Sequence, residues 1–428
     1  MSGDPSPGAR RVVLFAVWQG FVALLLTAAA AEAAAFAVYL AAGRPFRAWS
    51  FVKIGWLYVL SFSRVGVEVR LSPAVSALLG AVVGGPVYRV YVAFLAGTAL
   101  AGWLVFRAGR AAAEREQAAL GRRALVGVLV APGYAVPAFA LAVLATIRLP
   151  DVGLDSVRPV AWQALAFPLA TAAVAGAAGG LAASRNTIEA CRPWGPRAVA
   201  WASGGWRMLV ASIGFALVGL LLMAAVHPAD VGTYVRWHQR SGRTGAIALA
   251  NEVLALPNAG AWLVTPSMGG CDVASTRGGV TRLLCPDGVV DPSALTRFRV
   301  QRIPLPWGSV AFPAVPLAAT MLGGAWAARG VASRRERLLR ATGAGVAFGV
   351  LMGAAARLAG IAIVSSGDPG SGIRLGPRPL ATAALALAWG VVGGAAGGLV
   401  PGAQEVGGAP DGGPDDPEEP VPPRPTSV

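Results

Sequence analysis

The residues of this chain best suited to metal binding or nucleophilic chemistry are two histidines, His227 and His238, and three cysteines, Cys191, Cys271 and Cys285. A zinc site needs three or four such ligands at close spacing, and neither residue type supplies one. HExxH, P-loop and nucleophile-elbow patterns are absent. The stretch GAGVAFG from Gly343 follows no strand, which sets aside a dinucleotide loop. No metal, no cofactor and no catalytic residue is expected, and the chain reads as a non-enzyme.

Charges buried in apolar sequence are the remaining candidates, because an ionisable group there is costly and marks a functional site by default. Glu32 lies deep in the first apolar run, Arg89 opens the second, and Arg357 lies near the end of the seventh. All three come to one depth. The expectation is a polar cluster at the outer face in which Glu32 neutralises an arginine and lines a water-filled vestibule. The alternative is snorkelling of each group to the lipid head groups.

The elements that must position these residues follow from composition. The 428 residues are 55% hydrophobic and 13% charged, with mean hydropathy +0.60, against roughly 25% charged in ordinary globular domains. That balance is one of an integral membrane protein in a bacterial cytoplasmic membrane, with the lipid bilayer as its first partner. Its net charge is +15, but the arginines sit at the ends of apolar runs and trace no basic groove, so no nucleic acid is expected. Lys53 is the only lysine, and Ala and Gly abound, a composition of GC-rich genomes.

A spanning helix needs roughly 20 apolar residues. The fold class expected is an all-α integral membrane protein with about eight transmembrane helices, near Val12–Ala34, Val87–Phe106, Ala124–Ile147, Pro159–Ala183, Met208–Val226, Val310–Ala328, Ala341–Val364 and Pro379–Val400. The first continues in apolar residues without a small-residue cleavage site, so it reads as a span rather than a signal peptide. Stretches such as WSFVKIGWLYVLSFS, in the region 49–86, and NEVLALPNAGAWLVTPSMGGCD are too short or too broken to span, and read as pieces dipping between the spans.

Short connections set the orientation. RAGRAAAEREQAALGRR carries five arginines, RNTIEACRPWGPRAVAWASGGWR four and RGVASRRERLLR five, while RLPDVGLDSVRP and SSGDPGSGIRLGPRP carry two each. Both termini are therefore expected in the cytoplasm. Cys271 and Cys285 then fall in an outer loop, 227–308, where a disulfide can persist. Cys191 falls on the inner side. The same loop holds YVRWHQRSGRTG, a basic stretch suited to anionic head groups or envelope polymer.

A repeat organises the chain. GAAGGL stands at 176–181 and again at 394–399, each copy ending a span that opens with Arg-Pro, at Arg158 and Arg378. Gly20-Phe21 and Gly214-Phe215 each precede a triple leucine in spans one and five. The reading is a cytoplasmic N-terminus (1–11), a first four-helix repeat (12–205), a second (206–402) containing the extracytoplasmic loop 227–308, and a disordered acidic cytoplasmic tail (403–428). Four spans per unit make the repeats parallel, with a pseudo-two-fold axis along the membrane normal. Gly176 and Gly180, like Gly394 and Gly398, fall on one helix face, as close helix packing requires.

The segment ALPNAGAW (Ala255–Trp262), followed by GSVAFPAVPLAA (Gly308–Ala319), resembles the streptophobe-type multi-pass membrane proteins of actinobacteria. That resemblance implies a link to cell division and envelope integrity, with envelope or division proteins as partners, and assigns no catalytic residue. The function expected is a non-enzymatic cell-envelope or division-associated protein acting through partners. The alternative is a transporter or channel for a small solute, in which Pro132, Gly133 and Pro137 break the third span.

Overall fold

A computed structural model describes residues 7–41, 43, 48–73, 86–115, 120–149, 154–183, 195–240, 242–276, 279–286, 288–290, 302–303, 312–366 and 372–400. The N-terminal residues 1–6, Cys191 and the acidic tail 403–428 lie outside them. In chain order the elements are α1 (Pro7–Ala41), α2 (Ala48–Phe62), β1 (Val67–Leu71), β2 (Val87–Tyr91), α3 (Leu95–Glu114), α4 (Leu120–Val128), α5 (Val130–Leu144), β3 (Ile147–Leu149), β4 (Leu154–Pro159) and α6 (Ala161–Ala182). They continue as α7 (Gly195–Val226), α8 (Pro228–Arg240), α9 (Gly242–Leu254), α10 (Leu256–Ser267), β5 (Asp272–Thr276), β6 (Gly279–Cys285), β7 (Gly288–Val290), β8 (Arg302–Ile303), α11 (Ala314–Ala327), α12 (Arg334–Ala359), β9 (Ile361–Ser365), β10 (Gly372–Pro377) and α13 (Pro379–Leu399). The 205/206 boundary expected between units falls inside α7, a single unbroken helix.

Six helical stretches among the described residues are long and apolar enough to cross a membrane: α1, α4 with α5, α6, α7, α12 and α13. The bent pair formed by α9 and α10 would make a seventh if it were one span. Two of the eight expected spans are different objects. The run Val87–Phe106 is β2 followed by the first half of α3, and the sixth span is α11, a helix of 14 residues. Hydropathy merges them because VYRVY passes without a polar break into an apolar helix.

The expected all-α fold is corrected by a ten-stranded antiparallel sheet of order β3-β4-β1-β2-β9-β10-β5-β6-β7-β8. Its strands are two to seven residues long, and several continue directly from apolar helices, so the helical spans absorbed them. The sheet gathers the connections that follow α2, α5, α10 and α12, and so caps one end of the helices. Within it the order β3-β4-β1-β2 is followed by β9-β10-β5-β6, joined head to tail by β2 and β9. The registers correspond as well: β1 faces β4 with Val67↔Pro159, and β5 faces β10 with Asp272↔Pro377. An isologous two-fold junction would pair β2 with its own counterpart, and a closed ring would return β6 to β3; β6 pairs with β7 instead.

Each GAAGGL copy packs within its own group of helices. A Cβ placed on Gly176 would lie 2.2 Å from the Gly127 carbonyl oxygen on α4; on Gly179, 2.0 Å from that of Phe106 on α3; on Gly180, 2.3 Å from that of Arg123. On α13 the corresponding Cβ positions are 2.7 Å from the Ala341 oxygen for Gly394, 2.0 Å from the Met321 oxygen for Gly397, and 3.4 Å from the Arg337 oxygen for Gly398. Missing side chains let the backbones touch, which matters where lipid competes equally for apolar contact. Gly20 meets Val130 and Tyr134 of α5, as Gly205 meets Ala344 and Phe348 of α12. Nothing lies within 4 Å of a Cβ on Gly214, the glycine expected to correspond to Gly20.

Asn258 of the ALPNAGAW segment ties the two groups together. It is buried, accepts the Leu95 N–H at 2.9 Å and donates to the Ala93 carbonyl at 2.5 Å. It thereby satisfies a backbone donor at the start of α3 that no residue of that helix's own N-cap supplies.

Candidate functional site

Arg64 follows α2 in a turn that forces an unusual backbone. Its φ is 58°, the only positive value among the described non-glycine residues, where a side chain is strained. It is 9% exposed. Its Nη2 donates to the Gly360 carbonyl at 3.1 Å, while Nη1 is buried with no hydrogen-bond partner. A cavity of about 300 Å³ opens beside it, lined also by Arg357, Arg374 and Arg378.

Three elements bring those arginines in. Arg357 lies in the last turn of α12, Arg374 on β10, and Arg378 at the N-cap of α13. Val273 and Ser275 of β5 and the Gly360–Ala362 backbone complete the wall. Among the described residues of the lining there is no carboxylate, histidine or cysteine. Burial first, and then the charges of Arg357 and Arg374, push the Arg64 guanidinium down to about 10, still charged at neutral pH. The free N–H groups at the start of α13 add positive potential on the same side.

A larger groove, about 840 Å³, runs between α1 and α3 past Gln19, Trp103, Arg107 and Arg110. Its charge is partly balanced, since Arg110 bonds Glu114 at 2.8 Å and both line it, while Arg107 stacks over Trp103. The four-arginine cavity has no such internal balance.

The expected cluster of Glu32, Arg89 and Arg357 does not form. The Glu32 carboxylate packs over Gly55 of α2, where a Cβ would lie 2.4 Å from its Cδ, and both oxygens are buried without a hydrogen-bond partner. Arg89 on β2 faces Glu68 on β1, 3.7 Å away, and Glu68 also takes Arg158 of β4 at 2.5 Å. Arg357 alone belongs to the cavity. The three do not meet because Glu32 faces α2 within the helices while Arg89 lies on the sheet opposite Glu68, where its Nε is buried without a hydrogen-bond partner.

Cys271 and Cys285 are joined by a disulfide that closes the β5–β6 hairpin. Closing a loop of this size stabilises a fold by about 3 kcal/mol in the chain-entropy account. In the YVRWHQRSGRTG stretch, α8 packs on α9: Tyr234 donates to Glu252 at 2.5 Å, and His238 stands 3.4 Å from the same carboxylate. These groups satisfy each other and are a structural clasp.

Arg64, Arg374 and Arg378 went unassigned from sequence, although a signal was present. They occupy connections on the sheet side, where each short loop carries only two arginines, and in the sequence Arg378 marks the start of the last span. Among the described residues no group of three His, Cys, Asp or Glu is placed to hold a metal ion. Comparison with known proteins finds no matching family model, no matching curated protein and no matching solved structure.

Proposed function

We propose that the chain is a non-enzymatic, multi-pass protein of the bacterial cytoplasmic membrane that binds an anionic group at the four-arginine cavity on its extracytoplasmic face. The observation that carries this reading is the convergence of Arg64, Arg357, Arg374 and Arg378 with no carboxylate among the described lining residues. Like charges brought together without a partner repel, and an anion removes that cost. The lining also lacks a base or nucleophile pair, which favours binding over catalysis.

Two parallel four-span units make up this proposed protein. Support comes from the repeated strand order, the matching registers and the equivalent glycine contacts. Counted this way, α3 and α11 hold the same place in each unit and are its second span. The arginine-rich connections lie at the end opposite the sheet, which puts that end in the cytoplasm by the positive-inside bias. The Cys271–Cys285 bond lies at the sheet end, consistent with an oxidising compartment. Envelope or division proteins are the partners this arrangement suits, with the resemblance of Ala255–Trp262 to streptophobe-type proteins in the same direction.

Transport is the second reading, and one observation favours it. Within the first unit a cavity of about 90 Å³ is lined by the hydroxyl-bearing Ser63, Thr98, Tyr134 and Thr171, room for about three waters, and Ser63 adjoins Arg64 in the chain. One experiment separates the readings. Purified protein is melted in sodium sulfate, phosphate and acetate at constant ionic strength, then reconstituted in liposomes with the stabilising anion outside. The binding reading expects the melting temperature to rise with at least one anion, the rise to vanish in Arg374→Ala/Arg378→Ala, and no anion to accumulate inside. Accumulation would move the transporter ahead, and an anion effect unchanged in the double variant would remove the site.

A further inference from the structure

Arginine at position 64 is not what the turn asks for. Counting along the strands from the register pairs Val67↔Pro159 and Asp272↔Pro377, Arg64 in the first unit matches Gly269 in the second. Gly269 has φ 91° and nothing within 4 Å of a Cβ position. A glycine makes this left-handed turn without strain, so the arginine adds only its side chain. That residue is nine-tenths buried, spends one nitrogen on Gly360, keeps Nη1 buried without a partner, and is part of the cavity wall.

The other three arginines are equally unrequired by the scaffold. By the same count, and by Ile147↔Val157 against Ile361↔Leu375, Arg374 matches Ser156, Arg378 matches Val160 and Arg357 matches Val143. The first unit builds the same helix–hairpin–helix with none of these charges. Three guanidinium groups of the second unit and one of the first therefore meet at the cavity, each at a place where the other unit carries no charge.

Resting on the anion-binding reading above, we infer that this cavity takes a phosphoryl group, with Arg64 as its anchoring fork. A carboxylate offers two oxygens in one plane, which one or two guanidinium forks satisfy. Arg64, Arg357, Arg374 and Arg378 come from four separate places in the chain, the turn after α2, the end of α12, β10 and the N-cap of α13, and four guanidinium groups offer more donors than the two oxygens of one carboxylate accept, whereas a phosphate presents three or four oxygens. Phosphate is also the anion for which arginine is the residue of choice, and a monoester dianion answers more of the four charges than a monocarboxylate. About 300 Å³ leaves room for a group attached to the phosphate. The site adjoins the end of α12 and the start of α13, at head-group depth in the membrane reading, so the phosphoryl source is either a lipid head group or a soluble phosphate compound.

The full chain in phosphatidylcholine nanodiscs is titrated calorimetrically with inorganic phosphate, glycerol phosphate and succinate. In a second arm, native mass spectrometry reads retention of phosphatidylglycerol doped into the same nanodiscs. Wild type is compared with Arg64→Gly, which keeps the left-handed turn without strain, and with Arg374→Ala, each checked for unchanged melting. The inference expects one phosphate-bearing probe to bind at least ten-fold tighter than succinate and to lose ten-fold or more in both variants. Retention of phosphatidylglycerol without phosphate binding assigns the lipid source, and the converse assigns the soluble one; either supports it. Succinate binding as tightly, with the same arginine dependence, overturns the phosphoryl inference and leaves the anion reading standing. Binding of no probe that depends on these arginines overturns both.

Discussion

Gly176→Leu and Gly397→Leu should each lose at least about 3 kcal/mol of stability, or fail to yield monodisperse protein, while Gly214→Leu should stay within about 0.5 kcal/mol of wild type. At Gly176 even a Cβ would sit 2.2 Å from the Gly127 carbonyl oxygen, and at Gly397 2.0 Å from that of Met321. The obstacle in both is helix backbone, which cannot swing aside as a side chain can. Leucine would push α6 off α4, or α13 off α11, and forfeit the close packing along the whole seam. Gly214 faces open space, so the same substitution there adds only apolar surface for lipid. Thermal unfolding of the three variants in one detergent reads the contrast. Equal loss at Gly214 would mean that α7 packs there against something unseen, and equal tolerance at Gly176 would mean that GAAGGL is no seam.

Asp272→Asn is expected to stabilise the protein at pH 8 to 9 by an amount on the order of 2–4 kcal/mol, several degrees of melting temperature. Asp272 is wholly buried at the start of β5, and neither carboxylate oxygen has a hydrogen-bond partner. Its cross-strand neighbours are Pro377 on β10 and Leu284 on β6, neither of which ionises. Burial pushes the carboxyl up to about 8, while in the unfolded chain it titrates near 4. Between those values the folded state holds a proton that the unfolded state has lost, so stability falls as pH rises from about 4 to about 8. The variant cannot lose that proton and should show a flatter profile over the same window. Melting curves from pH 5 to 9 check the sign; a wild-type profile that rises with pH in this range, unaffected by the substitution, would mean that Asp272 is charged and partnered.

How far the chain could be read in advance depended on which physical signal each part carries. Long apolar helices announce themselves, and α1, α6, α7, α12 and α13 lie where hydropathy put them. The sheet does not, because strands such as Val87–Tyr91 and Ile361–Ser365 run into or out of apolar helices and supply no polar boundary. GAAGGL marked close packing correctly, but letters alone misplaced some partners. Arg158 pairs with Glu68 inside β4, whereas Arg378 caps α13, so the two Arg-Pro pairs stand two residues out of step. Gly-Phe pairs at 20 and 214 matched by composition, while a Cβ on Gly20 would meet α5 and one on Gly214 would meet nothing within 4 Å.

The candidate site was legible only in part. Arg357 was singled out for its depth, but depth along the membrane normal says nothing of direction around a helix, and Glu32 and Arg89 face other neighbours. Arg64 is visible only once the left-handed turn and its glycine counterpart are known. Arg374 and Arg378 had a sequence signal of their own, two arginines close together in a short connection on the side whose short connections carry fewer of them.

Four arginines from separate places in the chain, Arg64, Arg357, Arg374 and Arg378, are proposed to form one anion site at the sheet end of the helices. An experimental structure of the full chain in anionic-lipid nanodiscs with added phosphate tests it most directly. Density for a bound anion is expected within hydrogen-bonding reach of Arg64 and of at least two of Arg357, Arg374 and Arg378. An empty cavity at high occupancy of both lipid and phosphate, with those guanidinium groups turned outward to solvent or paired to carboxylates, would contradict it.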